Sequence, residues 1–256
     1  MKHISHAFVV ASGKGQRLKS VSKRHKALIS IAGKTLLEHT INRLIKIGIN
    51  NIYIIIRYNQ NDFSSFMTNF NSAGTAKIKP IYLREETYID SPLSDLLRSF
   101  YNGSINVPEN FLISYCDTVT DFDISELINI HFKKNSSATL LLFSDDTAYF
   151  QKKYSINDDG LIYSIRENEF INQEKYAQGG IYILKKDLML NFDFNKKIDF
   201  SDKGGPIEIA FENNSLYGIK TDNCFFMEIG TPENFYSCER KLLKSSNLLN
   251  NIFCLS

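Results

Sequence analysis

Cysteine is scarce in this chain, and the cysteines that occur are far apart. The four residues Cys116, Cys224, Cys238 and Cys254 form no C-x-x-C pair. A thiolate zinc site or a disulfide framework needs paired cysteines at short, regular spacing. The spacing therefore argues against both and favours reduced thiols in the cytoplasm.

A surplus of charge of either sign is also missing. The chain has 30 basic and 28 acidic residues, so its formal net charge is +2. A general nucleic-acid binder carries a clustered basic excess, and we therefore expect no nucleic-acid partner. The N-terminal apolar run, residues 7–11, is too short for a signal sequence or a membrane span. We expect a cytoplasmic protein without a membrane partner.

Apolar strand patterns alternate with helix-period segments through the first half of the sequence. The predicted strands are residues 7–11, 52–56, 78–83 and 111–115, and the predicted helices are 35–47, 62–70 and 93–101. Such alternation is typical of right-handed βαβ units, in which ligands bind at the carboxyl ends of parallel strands. The pattern predicts an α/β fold with a Rossmann-like, mostly parallel sheet flanked by helices.

The pattern changes after about residue 135. Short strands are predicted at residues 138–143, 153–156, 161–165 and 180–184. The Asp159-Gly160 pair between two of them is a strong hairpin turn. These strands indicate a smaller antiparallel portion that makes the sheet mixed. A final helix is predicted from Pro232, with Thr231 as its N-cap, and no internal repeat is present.

A glycine-rich segment follows the first predicted strand. Residues 11–18 have the sequence ASGKGQRL. Two closely spaced glycines allow a sharp turn that points backbone N–H groups at an anion, and Arg17 can add a bidentate phosphate contact. Leu18 stands where the dinucleotide fingerprint has its third glycine, and the P-loop pattern is absent. Taken alone, the segment fits an anion site and a plain turn about equally.

The stretch from Ala11 to Leu37 resembles the signature of the sugar-nucleotide nucleotidylyltransferase family, which is approximately A-A-G-x-G-T-R-L, then P-K, then G-K-P-L-L. The corresponding letters here are ASGKGQRL, HKAL and GKTLLEH. In that family the glycine loop wraps the NTP phosphates, the arginine holds the pyrophosphate leaving group and the lysine contacts phosphate at the reacting centre. The resemblance implies nucleotide-binding roles for Gly13 and Gly15 and catalytic roles for Arg17 and Lys26.

Three departures from that signature bear on the nucleotide. Ser12 replaces an alanine, Gln16 replaces a threonine, and His25 replaces the proline before Lys26. The resemblance assigns Ala11, Ser12 and Gln16 to nucleotide binding, because a hydroxyl and an amide can still serve the phosphates or the base. Without the proline we expect a less rigid segment around Lys26.

Two acidic residues match the metal ligands of the family. Asp117 follows the predicted strand at 111–115, where the family has an aspartate that binds Mg²⁺, and Cys116 stands in place of the usual glycine. Glu228 lies in the sequence MEIGTP, where the family has D-I-G-T-P. Two carboxylates suit Mg²⁺, a hard ion that shares phosphate oxygens. The resemblance therefore implies Mg²⁺ on Asp117 and Glu228, with a geometry altered by the extra methylene of glutamate.

The acceptor and base sites are implied by weaker matches. Residues 176–182, YAQGGIY, resemble the N-A-G-I-Y motif that lines the sugar site. This assigns acceptor binding to Gln178, Gly179 and Gly180, together with Glu167 at the family's E-K-P position, where Asn168 replaces the lysine. The candidate polar contacts in the base-recognition region, assigned to nucleotide binding, are Glu85, Ser91 and Ser94. Ser91 is equally well explained as the N-cap of a helix.

The activity implied by the resemblance joins a nucleoside monophosphate from an NTP to a sugar 1-phosphate and releases pyrophosphate, in nucleotide-sugar and surface-glycan biosynthesis. We expect one domain at residues 1–245, with a nucleotide-binding half at about 1–135 and an acceptor-binding half at about 136–245. A C-terminal extension follows at 246–256. The base, the acceptor and the oligomeric state, including a homo-oligomer, are left open.

Three alternative functions stay open from the sequence. A cytidylyltransferase acting on a non-sugar phosphate or phosphonate, such as phosphocholine, shares the motifs. A nucleotide-binding homologue without turnover would keep the glycine loop and lose the chemistry. A glycosyltransferase would use a D-x-D motif, which Asp121-Phe122-Asp123 matches in spacing but not in its place after the strand. We also expect His39 and His131 to lie on exposed helix faces.

Overall fold

The strands and helices that the residue pattern predicts all occur in the structure, in the predicted order along the chain. The structure is a computed structural model, and it describes residues 3–70, 76–83, 91–101, 105–144, 152–166, 176–190, 192 and 199–245. Glu85 and Glu167, which the sequence assigned to nucleotide and acceptor binding, lie outside the described residues.

Strands occur throughout the described residues. They are β1 (His6–Ala11), β2 (Ser30–Ile31), β3 (Lys34–Thr35), β4 (Asn51–Ile56), β5 (Lys77–Tyr82), β6 (Asn110–Tyr115), β7 (Thr118–Thr120), β8 (Ala138–Phe143), β9 (Lys153–Ile156), β10 (Ile162–Arg166), β11 (Ala177–Lys185), β12 (Leu216–Lys220) and β13 (Phe226–Glu228). The α-helices are α1 (Leu36–Lys46), α2 (Gln60–Phe70), α3 (Pro92–Tyr101), α4 (Ile124–Lys133), α5 (Pro206–Glu212) and α6 (Pro232–Leu243). Among the described residues, no helix combines the length and the apolar character needed to cross a membrane.

The chain forms two compact units whose segments interleave along the sequence. The first unit comprises Met1–Ile4, Ile89–Ile113 and Asp123–Cys224. The second unit comprises Ser5–Tyr88, Ser114–Phe122 and Phe225–Ser256. The chain therefore leaves and re-enters each unit, whereas the sequence suggested a single division near residue 135.

Parallel strands form the centre of the second unit, in the order β1-β4-β5. Strand β1 pairs with β4 from His6↔Asn51 to Ala11↔Ile56, and β4 pairs with β5 in the same direction. The side chains of β1 after His6 are all buried. A strand that is apolar on both faces is typical of a parallel sheet covered on both sides. The carboxyl end of β1 leads directly into the glycine-rich segment.

Helix α1 follows β3 and begins at a capping box. The Thr35 hydroxyl accepts a hydrogen bond from Glu38 N at 3.1 Å, and the Glu38 carboxylate accepts one from Thr35 N at 2.6 Å. These two bonds satisfy N–H groups that a helix start otherwise leaves without partners. The helix predicted at residues 35–47 is therefore confirmed, with Thr35 as its cap.

The first unit contains antiparallel pairings within its main sheet and a separate antiparallel hairpin. Its strands follow the order β12-β8-β11-β6, in which β8 pairs antiparallel with β11 and parallel with β12. Strands β9 and β10 form a separate antiparallel hairpin. The predicted α/β fold, with a mixed and mostly parallel sheet flanked by helices and a smaller antiparallel portion, is confirmed.

Two histidines that the helix pattern placed on exposed faces are buried. His39 Nε2 bonds to the Ile31 carbonyl at 2.9 Å. The ring of His131 lies between Asn110 Oδ1 and Thr139 Oγ1, each at 2.9 Å. The expectation of exposure is wrong, because neighbouring elements cover these helix faces and supply partners for the ring nitrogens.

Candidate active site

The glycine-rich segment turns sharply at the carboxyl end of β1. Gly15 has φ +61° and ψ 27°, a left-handed conformation that favours glycine. Leu18 N donates a hydrogen bond to the Gly15 carbonyl at 3.1 Å and closes a short 3-10 turn. Gly13 and Arg17 are exposed on this turn, so an anion can approach their backbone and guanidinium donors.

Lys26 lies against the glycine turn and is held by an acidic partner. Its Nζ donates a hydrogen bond to Asp117 Oδ2 at 2.5 Å, and the Asp117 side chain is only 8% exposed. Burial acts to lower the pKa of Lys26, but the carboxylate of Asp117, with a smaller contribution from Glu228, raises it above its ordinary value. Lys26 is therefore a fixed, protonated cation at neutral pH.

The antiparallel pair β7–β13 brings together the backbone segments of the two candidate metal ligands, Asp117 just before β7 and Glu228 at the end of β13. Glu228 is the register partner of Thr118, the residue after Asp117. The pairing extends beyond the strands, because Ile229 N donates a hydrogen bond to the Asp117 carbonyl at 2.8 Å. Asn234 Nδ2 donates to the Glu228 carbonyl at 2.9 Å. Both acids are thus anchored by their own backbone.

Arg17 and Glu228 converge on Gly230. A Cβ at Gly230 would lie 3.3 Å from Arg17 Nη2 and 3.5 Å from Glu228 Oε1. The glycine therefore leaves room for a cation and an anion to approach the same piece of backbone. Together with Lys26 and Asp117, these side chains form a patch of alternating charge beside the glycine turn. Such a patch can hold phosphate oxygens on its cations and a hard cation on its carboxylates.

The donor set determines which metal could be held. No group of three or more His, Cys, Asp or Glu side chains in the described part of the chain is arranged to hold a metal ion. Asp117 and Glu228 offer only carboxylate oxygens, which suit Mg²⁺, an ion that takes its remaining ligands from water and phosphate. The residues present therefore fit a magnesium ion shared with a nucleotide and do not fit a self-contained metal cage.

His25 lies beside the glycine turn, although no role was assigned to it from the sequence. One ring nitrogen, Nε2, lies 2.7 Å from the Gly13 carbonyl, and the other, Nδ1, accepts a hydrogen bond from Ala27 N at 3.2 Å. The sequence signal was present, since His25 stands where the family has proline next to the key lysine. The bonding partners could not be found from the sequence, because Gly13 and His25 are brought together only by the fold.

The candidate acceptor residues lie in the first unit, on β11. The register between β11 and β8 shifts between Gln178 and Tyr182, so the two glycines at 179 and 180 form an irregularity in the strand. The Ser201 hydroxyl donates a hydrogen bond to Gln178 Oε1 at 3.3 Å and itself accepts one from the Tyr154 hydroxyl at 3.4 Å. This relay uses the oxygen of the Gln178 amide and leaves its nitrogen free of hydrogen bonds to other described residues.

Ser91 and Ser94 are occupied with each other at the start of α3. Ser91 Oγ accepts a hydrogen bond from Ser94 N at 3.0 Å and donates one to Ser94 Oγ at 2.8 Å. Both side chains are buried. This is the arrangement of a helix N-cap, the alternative that the sequence left open for Ser91. Their assignment to the nucleotide stays a prediction.

The predicted site residues divide between the two units. Those of the second unit are Ala11, Ser12, Gly13, Gly15, Gln16, Arg17, Lys26, Asp117 and Glu228. Those of the first unit are Ser91, Ser94, Gln178, Gly179 and Gly180. The predicted phosphate-binding and metal-binding residues therefore assemble within one unit, from three separate chain segments.

A mixed α/β fold with a glycine turn beside a lysine and two carboxylates fits a phosphate-binding protein. Residues 6–245 match the nucleotidyl transferase family, and the chain belongs to that family. The resemblance that the motifs indicated is thereby confirmed.

Individual relatives share moderate identity with the chain. It is 25% identical over 236 residues to the D-glycero-alpha-D-manno-heptose 1-phosphate guanylyltransferase of Campylobacter jejuni, covering 90% of this chain and 96% of that protein. It is 22% identical to the mannose-1-phosphate guanylyltransferase catalytic subunit beta of Dictyostelium discoideum, covering 90% of this chain and 62% of that protein. The chain thus spans less than two thirds of the length of some of its curated relatives.

Solved structures support the same fold. The inositol-1-phosphate CTP transferase from T. maritima superposes with a TM-score of 0.71 at 17% identity, covering 97% of this chain and 96% of that one. At that identity the likeness establishes the fold alone.

Proposed function

We propose that this protein transfers a nucleoside monophosphate from an NTP to a phosphorylated small molecule and releases pyrophosphate. The observation that carries the proposal is the Lys26–Asp117 ion pair, 2.5 Å long, beside the glycine turn. It places a fixed cation and a strand-end carboxylate together within a chain of the nucleotidyl transferase family. A sugar 1-phosphate is the favoured acceptor, because the two guanylyltransferases to which the chain is similar are named for mannose 1-phosphate and a heptose 1-phosphate.

The reaction needs no nucleophile from the protein. An acceptor phosphate oxygen, already anionic, forms a bond to the α-phosphorus of the NTP, while the bond from that phosphorus to the bridging oxygen of pyrophosphate breaks. Catalysis then depends on positioning and on neutralising charge. Lys26 would hold charge at the reacting phosphate, Arg17 would hold the departing pyrophosphate, and the N–H groups at Gly13 and Gly15 would bind the phosphate chain.

Asp117 and Glu228 would hold Mg²⁺, which supplies further charge neutralisation when it is bound. Gln178, with its oxygen engaged by Ser201, would present its amide nitrogen as a donor to acceptor hydroxyls. The proposal includes a cytoplasmic location, where NTPs are abundant. It is supported by Cys116 and Cys238, which form no disulfide among the described residues.

Assays that combine each NTP with each candidate acceptor test the proposal. Pyrophosphate release would be measured for ATP, CTP, GTP and UTP or dTTP with Mg²⁺, each against sugar 1-phosphates and against phosphocholine. Release with at least one sugar 1-phosphate is the expected result. Release only with phosphocholine would transfer the assignment to a non-sugar cytidylyltransferase. Nucleotide binding without release for any acceptor would overturn the proposal. Removal of Mg²⁺ by EDTA should abolish release, and added Mg²⁺ should restore it.

Two variants test the residues that carry the proposal. Lys26→Ala and Asp117→Asn should each lower turnover by about 100-fold or more, since each removes a charge placed at the reacting phosphates. The matched control is Lys134→Ala, which removes the ion pair between Lys134 and Asp159 in the first unit. The control should retain wild-type turnover. Equal activity of Lys26→Ala and Lys134→Ala would contradict the assignment of Lys26.

A further inference from the structure

His25 is bonded on both sides to the segments that are proposed to hold the nucleotide. The ring is buried, with 2% of the residue exposed. Because Nδ1 accepts a hydrogen bond from Ala27 N, Nδ1 carries no proton. The proton of the neutral ring is therefore on Nε2, which donates it to the Gly13 carbonyl at 2.7 Å. A single tautomer satisfies both bonds.

The surroundings keep His25 in that neutral form. Burial lowers its pKa from the ordinary 6.5 to about 4, although the Gly13 carbonyl and Asp62 act in the opposite direction. The ring also packs against Phe63, with ring centroids 4.9 Å apart at an interplanar angle of 60°. A protonated ring would lose the acceptor that Ala27 N needs. The side chain is thus fixed in position, in rotation and in protonation state.

The two bonds connect parts of the chain with related tasks. Gly13 belongs to the turn that is proposed to bind the phosphate chain. Ala27 directly follows Lys26, and the bond from Ala27 N to the ring caps the start of the 3-10 turn Lys26–Leu28 that carries the lysine. The His25 ring therefore joins the phosphate turn to the backbone on either side of Lys26. A change of ring position would move both segments relative to each other.

We propose that His25 is a positioning residue that fixes the glycine turn relative to Lys26, so that the NTP phosphates and the lysine amine meet in one geometry. This inference rests on the proposed function. The backbone of His25 has φ −58° and ψ 142°, which lies within the range that proline adopts. Histidine thus keeps the local backbone conformation that the family's proline provides. It adds a bond to Gly13 that proline, which has no donor, cannot make.

Two amide substitutions separate the two bonds. In His25→Asn the amide reaches only the position of Nδ1, so the cap on Ala27 N is kept and the bond to Gly13 is lost. In His25→Gln the amide reaches the position of Nε2, so the donor to Gly13 is kept and the cap is lost. We expect kcat/KM for the NTP to fall by roughly 10- to 100-fold in His25→Asn, with most of it recovered in His25→Gln.

His39→Gln is the matched control. His39 is also a buried histidine of the second unit, it also bonds a backbone carbonyl through Nε2, and burial also lowers its pKa to about 4. It touches neither the glycine turn nor Lys26 by hydrogen bond. His39→Gln should leave kcat/KM within about twofold of wild type, even if its unfolding midpoint falls. A loss of kcat/KM in His39→Gln as large as that in His25→Asn would overturn the proposal, and so would equal values for the two His25 variants.

Two further measurements do not depend on turnover. The dissociation constant for a fluorescent NTP analogue should rise in His25→Asn and return toward wild type in His25→Gln. Long-range ¹H–¹⁵N spectra at neutral pH should show His25 with its proton on Nε2, and a proton on Nδ1 would overturn the inference. If the wild-type protein binds the analogue but shows no turnover with any of the acceptors, the proposed activity fails. The binding series and the tautomer still decide the role of His25.

Discussion

Gly15 is the residue of the glycine turn that packs against the Lys26 side chain. Its φ is +61°, and a Cβ built there would lie 3.0 Å from Lys26 Cβ, closer than ordinary van der Waals contact. Glycine is therefore required for two reasons: the backbone has a positive φ, and a Cβ would lie too close to Lys26. Gly33 also has a positive φ, +84°, but a Cβ there would meet no atom within 4 Å.

Alanine substitutions at Gly15 and Gly33 distinguish backbone strain from steric crowding by the added methyl group. Gly15→Ala and Gly33→Ala should each lower the free energy of unfolding by about 1 to 2 kcal/mol, since each forces a side chain into the left-handed region. Only Gly15→Ala should also lower turnover, by about tenfold or more, because its methyl group displaces Lys26. Urea unfolding and pyrophosphate release measure the two effects. Equal turnover of the two variants would contradict the contact between Gly15 and Lys26.

Residues that stand in a recognisable motif could be chosen from the sequence. Contacts between residues far apart in the sequence could not. Lys26 and Asp117 could be chosen from the sequence, because each stands in a recognisable segment. Their ion pair spans 91 positions, and no periodicity links them. Ser201 was missed for the same reason: it has no motif of its own, and its role follows only from its hydrogen bond to Gln178.

At the scale of elements, the short strand pair β7–β13 and helix α6 hold the segment that contains Glu228. Thr231 caps α6 by accepting a hydrogen bond from Asn234 N at 3.2 Å, and the side chain of Asn234 holds the Glu228 carbonyl. The apolar side of α6, with Phe235, Cys238 and Leu242, packs in a buried cluster that also contains Val119 of β7 and Ile229. The position of Glu228 therefore depends on how this helix begins.

The cap of α6 can be compared with the cap of α1. Thr231→Ala and Thr35→Ala each remove a hydroxyl that accepts a hydrogen bond from the third helical N–H. Each should cost about 1 kcal/mol of unfolding free energy. Only Thr231→Ala should raise the Mg²⁺ concentration for half-maximal turnover, because only this cap borders the segment of Glu228. A magnesium requirement that shifts equally in both variants would refute this link.

Long elements were predicted well, and very short ones were not. The helix predicted at residues 62–70 is α2, Gln60–Phe70, and the strand predicted at 138–143 is β8, Ala138–Phe143. Strands β7 and β13, with three residues each, were not predicted. A strand of that length shows too little alternation to be distinguished from a loop. Its existence depends on a partner strand far away in the sequence.

At the scale of the whole molecule, the protein buries three neutral histidines in its described parts. Burial lowers the pKa of His25 and His39 from 6.5 to about 4 and that of His131 to about 3. In the unfolded chain these rings take up protons near pH 6.5, whereas in the folded protein they do not until much lower pH. Their contribution to stability is therefore complete above pH 6.5 and is lost as the pH falls toward 4.

Acid should consequently destabilise the protein well before most carboxylates titrate. Between pH 6.5 and about 4.5 each histidine should reduce the free energy of unfolding by up to about 1.4 kcal/mol per pH unit. Urea unfolding at a series of pH values measures the slope. His131→Gln should make the slope shallower by about one proton relative to wild type. A stability that stays flat from pH 7 to 5 would contradict the burial of these rings.

The fold class was predictable from the sequence, and the division into units was not. Alternating strand and helix patterns are local, and they sufficed for an α/β fold. Membership of a unit depends on contacts between distant segments, such as the pairing of Glu228 with Thr118. No local pattern could indicate that Ser114–Phe122 belongs with Ser5–Tyr88 while the residues on either side do not.

The interleaving of the two units has a consequence for the order in which the chain is made. Every segment of the first unit precedes Phe225, so the ribosome delivers that unit complete before the last part of the second unit exists. Until Phe225 and the residues after it emerge, β7 lacks its partner strand and the nascent second unit holds Asp117 without Glu228. The proposed site can therefore form only after residue 228 has been made, and a chain interrupted near residue 224 would contain the lysine and the glycine turn without Glu228.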